Sequence, residues 1–327
     1  QFLGDHQPDI VFCTHQRASL AVPAMLAARK LNIPTATFIY SWDNLPKGRM
    51  AVHAGHFLVW SELMKAELRY YYPEVQPDFI HVVGTPQFEH YFNPDLVRPK
   101  GDFLKSLGLD PKRHVVCFSG DDQSTSPHDP SYLADLANIL QDIPESDRPQ
   151  LVFRRCPVDL SGRYQRVLDR FPEIINSEPL WASTEDDNWT QIIPNMEDVE
   201  LLVNIVSHCD LVVNLGSTMA MDFAIFDKPG IFVNYDPENG EHEAWVKRIY
   251  QLPHFETVHQ LQSIYWANSA DELGSVVQNA LTDSSDKASA RQQWLHTIVQ
   301  HPLEHASQRC YKSLHTIISI TKNDTGS

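Results

Sequence analysis

The chain has 327 residues, enough for two ordinary domains, and its 42% hydrophobic and 21% charged residues are typical of a globular protein. Its formal net charge of −16 argues against a nucleic-acid partner, because an acidic protein repels a polyanion unless it carries a local basic face. The five cysteines lack metal-binding spacing and no stretch approaches 18 apolar residues. We therefore expect a reduced, soluble, cytoplasmic protein without a transmembrane segment, and peripheral contact with a membrane stays open.

Short apolar runs alternate with helical segments through the first hundred residues. Strands are predicted at residues 10–13, 35–40, 57–60 and 80–83, and helices at residues 18–30 and 61–72. This alternation predicts a parallel, doubly wound sheet. Because Phe2-Leu3 has the character of a helix tail, we expect a first domain that is either incomplete at its N-terminus or unusually short.

A stretch with Pro, Lys and Gly at residues 93–113 is typical of an interdomain linker. A second α/β series follows, with strands predicted at residues 115–119, 151–153, 211–213 and 231–233 and helices at residues 131–141, 163–171, 199–207, 219–226 and 244–250. We predict an N-terminal Rossmann-like domain over residues 1–97, a C-terminal Rossmann-like domain over 98–285 and a helical tail over 286–327.

The stretch from residue 210 to residue 235 predicts a strand, a turn, a helix and a second strand. Gly216 permits the tight turn, Ser217 or Thr218 is suited to cap the helix, and Asp222 lies one turn into it. A helix N-terminus with hydroxyls and free backbone N–H groups binds phosphate. The alternative is that these hydroxyls only cap the helix.

Further polar residues follow strands, at the positions where open α/β sheets bind ligands. They are His15, Asp43, Gly120, Asp121 and Arg154. We expect two domains that face each other across a cleft, with His15 and Asp43 on one side and the others on the opposite side. Arg154 is the predicted ligand of a diphosphate, because a guanidinium forks onto phosphate oxygens. A surface arginine paired with a carboxylate is the alternative.

Two residues are candidates for a catalytic base. Asp43 lies beside Trp42, which is expected to desolvate the carboxylate and raise its pKa. His15 is the rival, because histidine titrates near neutral pH. Each also has a structural alternative, since Asp43 is suited to shaping a turn and His15 to a hydrogen-bonded structural role.

The sequence lacks the glycine motifs of a dinucleotide site and of a P-loop. The acidic pairs Asp121-Asp122 and Asp186-Asp187 have ligands suited to Mg²⁺, but solvated loop charge is the simpler interpretation. We therefore predict no metal and no cofactor.

Four motifs resemble the CDP-glycerol glycerophosphotransferase family. Residues 210–229 resemble the family's donor-site signature, and Ser41-Trp42-Asp43-Asn44 with Lys47 resembles its W-H-G-T-P-x-K elbow. Residues 83–89 resemble its G-x-P-R-x-D run, and residues 154–157 resemble its R-P-H-P run. The resemblance covers residues 41–235 and implies the two-domain GT-B architecture. The family's two histidines are replaced here by Asp43 and Cys156, which argues against glycerol-phosphate transfer, and an aspartate base suits the wider set of GT-B enzymes. The run Trp42-Asp43-Asn44-Leu45 also resembles glycosyltransferases of surface-polysaccharide synthesis.

The combined prediction is a GT-B glycosyltransferase of polysaccharide synthesis. It would move a sugar from a nucleotide-sugar donor to a hydroxyl of a glycan or lipid-linked acceptor, without a metal. The donor ligands would be Gly120, Asp121, Arg154, Gly216, Ser217, Thr218 and Asp222. Three alternatives stay open: a glycerophosphotransferase, a nucleotide-sugar epimerase, and a non-catalytic nucleotide- or glycan-binding module.

Overall fold

The computed structural model describes residues 1–182, 192–237 and 244–325, with side chains described up to residue 321. The chain forms two compact units. Unit 1 consists of Gln1–Phe92, Leu252–Thr257 and His296–Ser327, and unit 2 consists of Asn93–Gln251 and Val258–Leu295.

Unit 1 is built on a four-stranded parallel sheet in the order β1-β2-β3-β4. Its first elements are α1 (Phe2–His6), β1 (Val11–Cys13), α2 (Val22–Lys30), β2 (Thr35–Phe38), α3 (Asn44–Lys47), β3 (His56–Val59), α4 (Glu62–Tyr71) and β4 (Ile80–Val82). Trp60, which is fully buried, donates from its indole Nε1 to the carbonyl of Ile39 at 2.9 Å. This bond fixes the end of β3 against the end of β2.

Unit 2 contains a six-stranded parallel sheet in the order β10-β9-β8-β5-β6-β7. Its elements are α5 (Lys100–Ser106), β5 (Val115–Ser119), α6 (Asp129–Gln141), β6 (Gln150–Arg154), α7 (Gln165–Arg170), β7 (Ile175–Asn176), α8 (Met196–His208), β8 (Leu211–Asn214), α9 (Met219–Ile225), β9 (Gly230–Val233), α10 (Trp245–Tyr250), α11 (Glu256–Leu261), β10 (Tyr265–Ala267) and α12 (Ala270–Thr282). Two further helices follow, α13 (Ala288–Ile298) and α14 (Ala306–Thr325).

Local sequence signals explain several helix ends. The Ser61 hydroxyl accepts from the backbone N–H of Met64 and caps α4, and the Ser269 hydroxyl accepts from the N–H of Glu272 and caps α12. At the other end of a helix, Lys228 donates to the carbonyls of Val206 and Ser207 in the last turn of α8. Burial lowers the pKa of this lysine to about 8.

The predicted fold class, two parallel α/β domains, is confirmed by the two sheets. The short strands β7 and β10 were not predicted, because they contain only two and three residues and carry little pattern of their own. Among the described residues, no helix is long and apolar enough to cross a membrane.

The compact units differ from the predicted domain bounds. The first unit ends at Phe92 instead of residue 97, and the segment predicted as a separate tail is shared between the units. The end of α13 and all of α14 belong to unit 1, where Arg309 Nε donates to the carbonyl of Val83 at 2.8 Å and the backbone N–H of Gln300 donates to the carbonyl of Trp60 at 2.7 Å. A return of the chain to its first unit leaves no local signal in the sequence.

Candidate functional site

The order in which the chain adds strands to the sheet of unit 2 reverses between β5 and β8. From β5 the chain builds outward through β6 to β7, and it then returns to the other side of β5 to build β8, β9 and β10. In open α/β sheets ligands bind at such a switch point, outside the carboxyl ends of the strands. The two turns at this place are residues 120–126 after β5 and residues 215–218 after β8. We call them together the switch-point edge.

The turn after β8 has the predicted strand, glycine turn and helix. Gly216 has φ +70°, a left-handed conformation that favours glycine. Asn214 is fully buried, and its Oδ1 accepts from the backbone N–H of Ser217 at 3.0 Å. Ser217 and Thr218 are half-buried at the edge.

The helix end itself differs from the prediction. Thr218 occupies the N-cap position of α9 without a side-chain capping bond, while the Ser217 hydroxyl accepts from the backbone N–H of Met219 at 3.4 Å. The backbone N–H groups of Ser217, Met219, Ala220 and Met221 are therefore all engaged, and α9 has only seven residues. Asp222 is buried in α9, at 9% exposure. The turn rather than the helix dipole is what this segment offers to a ligand.

The turn after β5 is held from below by a buried carboxylate. Asp129 is fully buried and accepts from the backbone N–H of Asp121 at 2.6 Å, from the Tyr164 hydroxyl at 3.1 Å and from the Ser126 hydroxyl. Burial raises the pKa of Asp129 to about 6 in spite of these donors. Arg163 Nη2 donates to the carbonyl of Asp121 at 2.7 Å. The main chain of the turn is thus rigidly positioned.

The two predicted residues of this turn, Gly120 and Asp121, are fixed in place by their neighbours. A Cβ on Gly120 would lie 2.5 Å from the Tyr164 hydroxyl oxygen, so the position has no room for a side chain. Asp121 Oδ1 accepts from the N–H of Asp122, and the Asp122 carboxylate accepts from Ser124 and Thr125. These carboxylates are occupied within their own loop, which leaves the magnesium alternative unsupported. The pair Asp186-Asp187 lies outside the described residues.

The structure contradicts the expectation of a free guanidinium at Arg154. Its side chain is 5% exposed, and Nη2 donates to both carboxylate oxygens of Asp198 at 2.9 and 2.8 Å. Asp198 also accepts from the N–H of Leu180 at 2.8 Å and from the indole of Trp181 at 2.6 Å. The sequence could not show this partner, because Asp198 lies 44 residues away on α8. Arg154 belongs to a buried ion pair.

Two cavities lie at opposite edges of the same sheet. One of about 210 Å³ opens at the carboxyl ends of β6 and β7, where Arg155 lines it. The other, of about 370 Å³, lies at the amino ends of these strands, beside Arg113 and Arg148. The larger cavity is on the edge where open α/β sheets do not bind their substrates. Topology therefore favours the carboxyl side despite its smaller volume.

In unit 1, the predicted His15 and Asp43 follow neighbouring parallel strands, β1 and β2. The imidazole of His15 stacks on Tyr40 with ring centroids 4.6 Å apart. Gln16, the next residue, donates from Nε2 to Asn44 Oδ1 at 2.8 Å. The two predicted bases therefore lie at the same edge, as the order of the strands predicted.

The pKa of Asp43 is shifted in the direction opposite to the predicted one. Its Oδ2 pairs with Lys47 Nζ at 2.6 Å, and Oδ1 accepts from Asn44 Nδ2 at 3.1 Å. Burial by itself raises the pKa of Asp43, but Lys47 and a hydrogen bond from Ser41 outweigh it and hold this pKa below its usual value. The expectation of a raised pKa is wrong, because the ammonium of Lys47, one helical turn away, stabilises the carboxylate.

The structure adds His254 to this group. It lies in the 3₁₀ turn Pro253–Phe255 of unit 1, is 4% exposed, and packs edge-on against Trp42 with ring centroids 4.9 Å apart. Burial, with Lys47 acting in the same direction and Asp43 against it, lowers the pKa of His254 to about 4. No sequence signal marks this residue, since 211 positions separate it from Asp43.

The part of the chain that the structure describes contains no group of three or more His, Cys, Asp or Glu side chains arranged to hold a metal ion. The other site residues that the sequence did not suggest are Asp129, Arg163, Tyr164, Asn214 and Asp198, all of which position main chain or other side chains.

The fold resembles several solved structures. A glycosyltransferase from Rickettsia africae ESF-5 is 14% identical, with 98% of this chain and 79% of that chain covered at a TM-score of 0.56. UDP-GlcNAc 2-epimerase from Neisseria meningitidis, solved with UDP-GlcNAc, is 11% identical, with 96% and 78% covered at 0.57. A variant of the wall teichoic acid polymerase TagF is 13% identical, with 88% and 69% covered at 0.57.

These similarities establish the GT-B-type α/β fold that the motifs implied. No protein-family model matches the sequence, and no curated protein matches it significantly.

Proposed function

We propose that the chain is a metal-independent glycosyltransferase of GT-B architecture that acts in polysaccharide synthesis. Unit 2 would bind a nucleotide-sugar at the switch-point edge, and unit 1 would bind the hydroxyl of a glycan or lipid-linked acceptor. The observation that carries the proposal is the β5/β8 switch point, flanked by one turn without room for a side chain and one with φ +70°. At Gly216 no side chain keeps a ligand away from the main chain of the turn.

Two of the similar structures support the donor class. The Rickettsia protein is described as a glycosyltransferase, and the Neisseria protein was solved with UDP-GlcNAc. A uridine diphosphate sugar is therefore the first donor to test.

Thermal stabilisation by UDP is the direct test of the donor site. We expect UDP to raise the melting temperature, and Ser217→Ala to weaken UDP binding roughly 10- to 150-fold, because a hydroxyl bound to a charged phosphate contributes about 1.5–3 kcal/mol. Ser269→Ala is the matched control, since it removes a capping hydroxyl of α12 in the same unit. The proposal is overturned if neither UDP nor any other nucleoside diphosphate raises the melting temperature.

An epimerase is the second candidate, favoured by the similarity to UDP-GlcNAc 2-epimerase. Incubation with UDP-GlcNAc separates the two functions. Glycosyl transfer or hydrolysis releases UDP, whereas an epimerase yields a mixture of two UDP-sugars.

A further inference from the structure

Three side chains at the elbow of unit 1 (residues 41–49, with the residues packed on it) are chemically able to take a proton from a sugar hydroxyl. They are His15, Asp43 and His254. A base must offer a lone pair that the protein has not already engaged. The hydrogen bonds of the structure distinguish the three.

The first two are engaged. His15 Nδ1 accepts from the backbone N–H of Arg17 at 3.1 Å, and in neutral imidazole the other nitrogen then carries the proton. Asp43 is paired with Lys47 through one oxygen and accepts from Asn44 through the other. Protonation of Asp43 would break this ion pair, and that cost makes the carboxylate a poor proton acceptor.

His254 has the opposite character. Its Nδ1 is buried and has no hydrogen-bond partner among the described residues, although the residue is 96% buried. A buried polar nitrogen without a partner is costly, so its retention calls for an explanation. The ring packs against both Trp42 and Phe255, with centroids 4.9 and 4.3 Å away, and these two rings also contact each other. A fixed imidazole with an unused nitrogen beside the elbow is suited to binding a hydroxyl.

We propose that His254 accepts the proton of the acceptor hydroxyl, with the Asp43 carboxylate stabilising the imidazolium that forms. This inference rests on the proposed glycosyl transfer. In the step, the acceptor O–H bond breaks and its proton moves to the imidazole of His254. The acceptor oxygen forms a bond to the anomeric carbon of the donor sugar. The bond from that carbon to the diphosphate breaks, and its electron pair leaves with the nucleoside diphosphate.

The charged groups that act on His254 are Asp43 and Lys47. Asp43 stabilises the imidazolium, while Lys47 opposes it and keeps the imidazole neutral until a proton arrives. Because burial and Lys47 lower the pKa of His254 to about 4, the imidazole is unprotonated near neutral pH, and Asp43 acts in the opposite direction by favouring its protonation. Below a pH of about 4 the imidazole becomes charged, and the rate of transfer is expected to fall.

The test compares His254→Gln with His305→Gln, the same substitution at an exposed histidine of unit 1. We measure release of UDP from UDP-GlcNAc and UDP-glucose between pH 3 and 8, and in parallel the thermal stabilisation by UDP. We expect His254→Gln to slow UDP release by roughly 10²–10⁴-fold and to abolish the acidic limb of the pH profile. UDP stabilisation should stay at the parent level, and added imidazole should restore activity to His254→Ala.

Other outcomes count against one proposal or both. If His254→Gln releases UDP at the parent rate, the inference is wrong while the proposed function stands. A loss of activity that imidazole does not restore, together with a melting temperature well below that of His305→Gln, assigns His254 a structural role. A parent protein that UDP does not stabilise refutes the donor site itself. If the parent protein binds UDP but releases no UDP from UDP-GlcNAc or UDP-glucose, both the proposed glycosyl transfer and the role of His254 are refuted.

Discussion

Removal of the Arg154 guanidinium is expected to destabilise unit 2 rather than to weaken nucleotide binding. Both side chains of its pair with Asp198 are at most 5% exposed. Breaking a buried pair by removing one partner costs about 3–5 kcal/mol, because the remaining charge is uncompensated. Asp198 would keep the N–H donors of Leu180 and Trp181. The expected loss of unfolding free energy for Arg154→Leu is therefore at the lower end of this range, about 3 kcal/mol. In a unit of this size that corresponds to a fall of about 6–12 °C in melting temperature.

The assay is calorimetry of Arg154→Leu, Asp198→Leu and the double variant, each with and without UDP. Arg170→Leu serves as the control, because Arg170 is exposed and has no ion pair with a described carboxylate. The double variant should recover most of the stability, since an apolar pair often replaces a buried ion pair at little cost. If Arg154→Leu melts with the parent and loses its UDP stabilisation, the buried-pair reasoning is wrong and Arg154 is the donor ligand that the sequence suggested.

Three further predictions address the turn, the pH response and metal dependence. Gly120→Ala should cost about 1–3 kcal/mol in chemical denaturation, because its Cβ meets the buried Tyr164; Gly101→Ala, with nothing within 4 Å, should not. Burial raises the pKa of Glu67 from 4.5 to about 7 and leaves its Oε2 without a partner among the described groups. The contribution of Glu67 to the free energy of unfolding is therefore greatest below pH 4.5, and about 3 kcal/mol of it is lost as the pH rises through 7. Glu67→Gln should flatten this dependence of stability on pH. UDP release should continue in excess chelator, since Asp121 and Asp122 are engaged within their loop, and a loss that added metal restores would contradict this.

The sequence was sufficient wherever the signal is local. The buried strands 115–119 and 211–214 are short runs of β-branched and apolar residues, and the Gly216 turn depends on one residue and its immediate neighbours. The alternation of such runs with helices determined the two parallel sheets. It also determined that His15 and Asp43 share one edge and that Gly120 and Gly216 share another, because parallel strands end on the same side.

Only the tertiary structure decided which charges are available. Arg154 and Asp43 both follow buried strands, yet one is buried against Asp198 and the other is paired with Lys47. His254 and Asp129 reach their sites from segments that carry no motif. The physical reason is that a pKa or a free donor depends on partners within a few ångströms, and those partners come from anywhere in the chain, whereas strands and turns depend on the residues next to them.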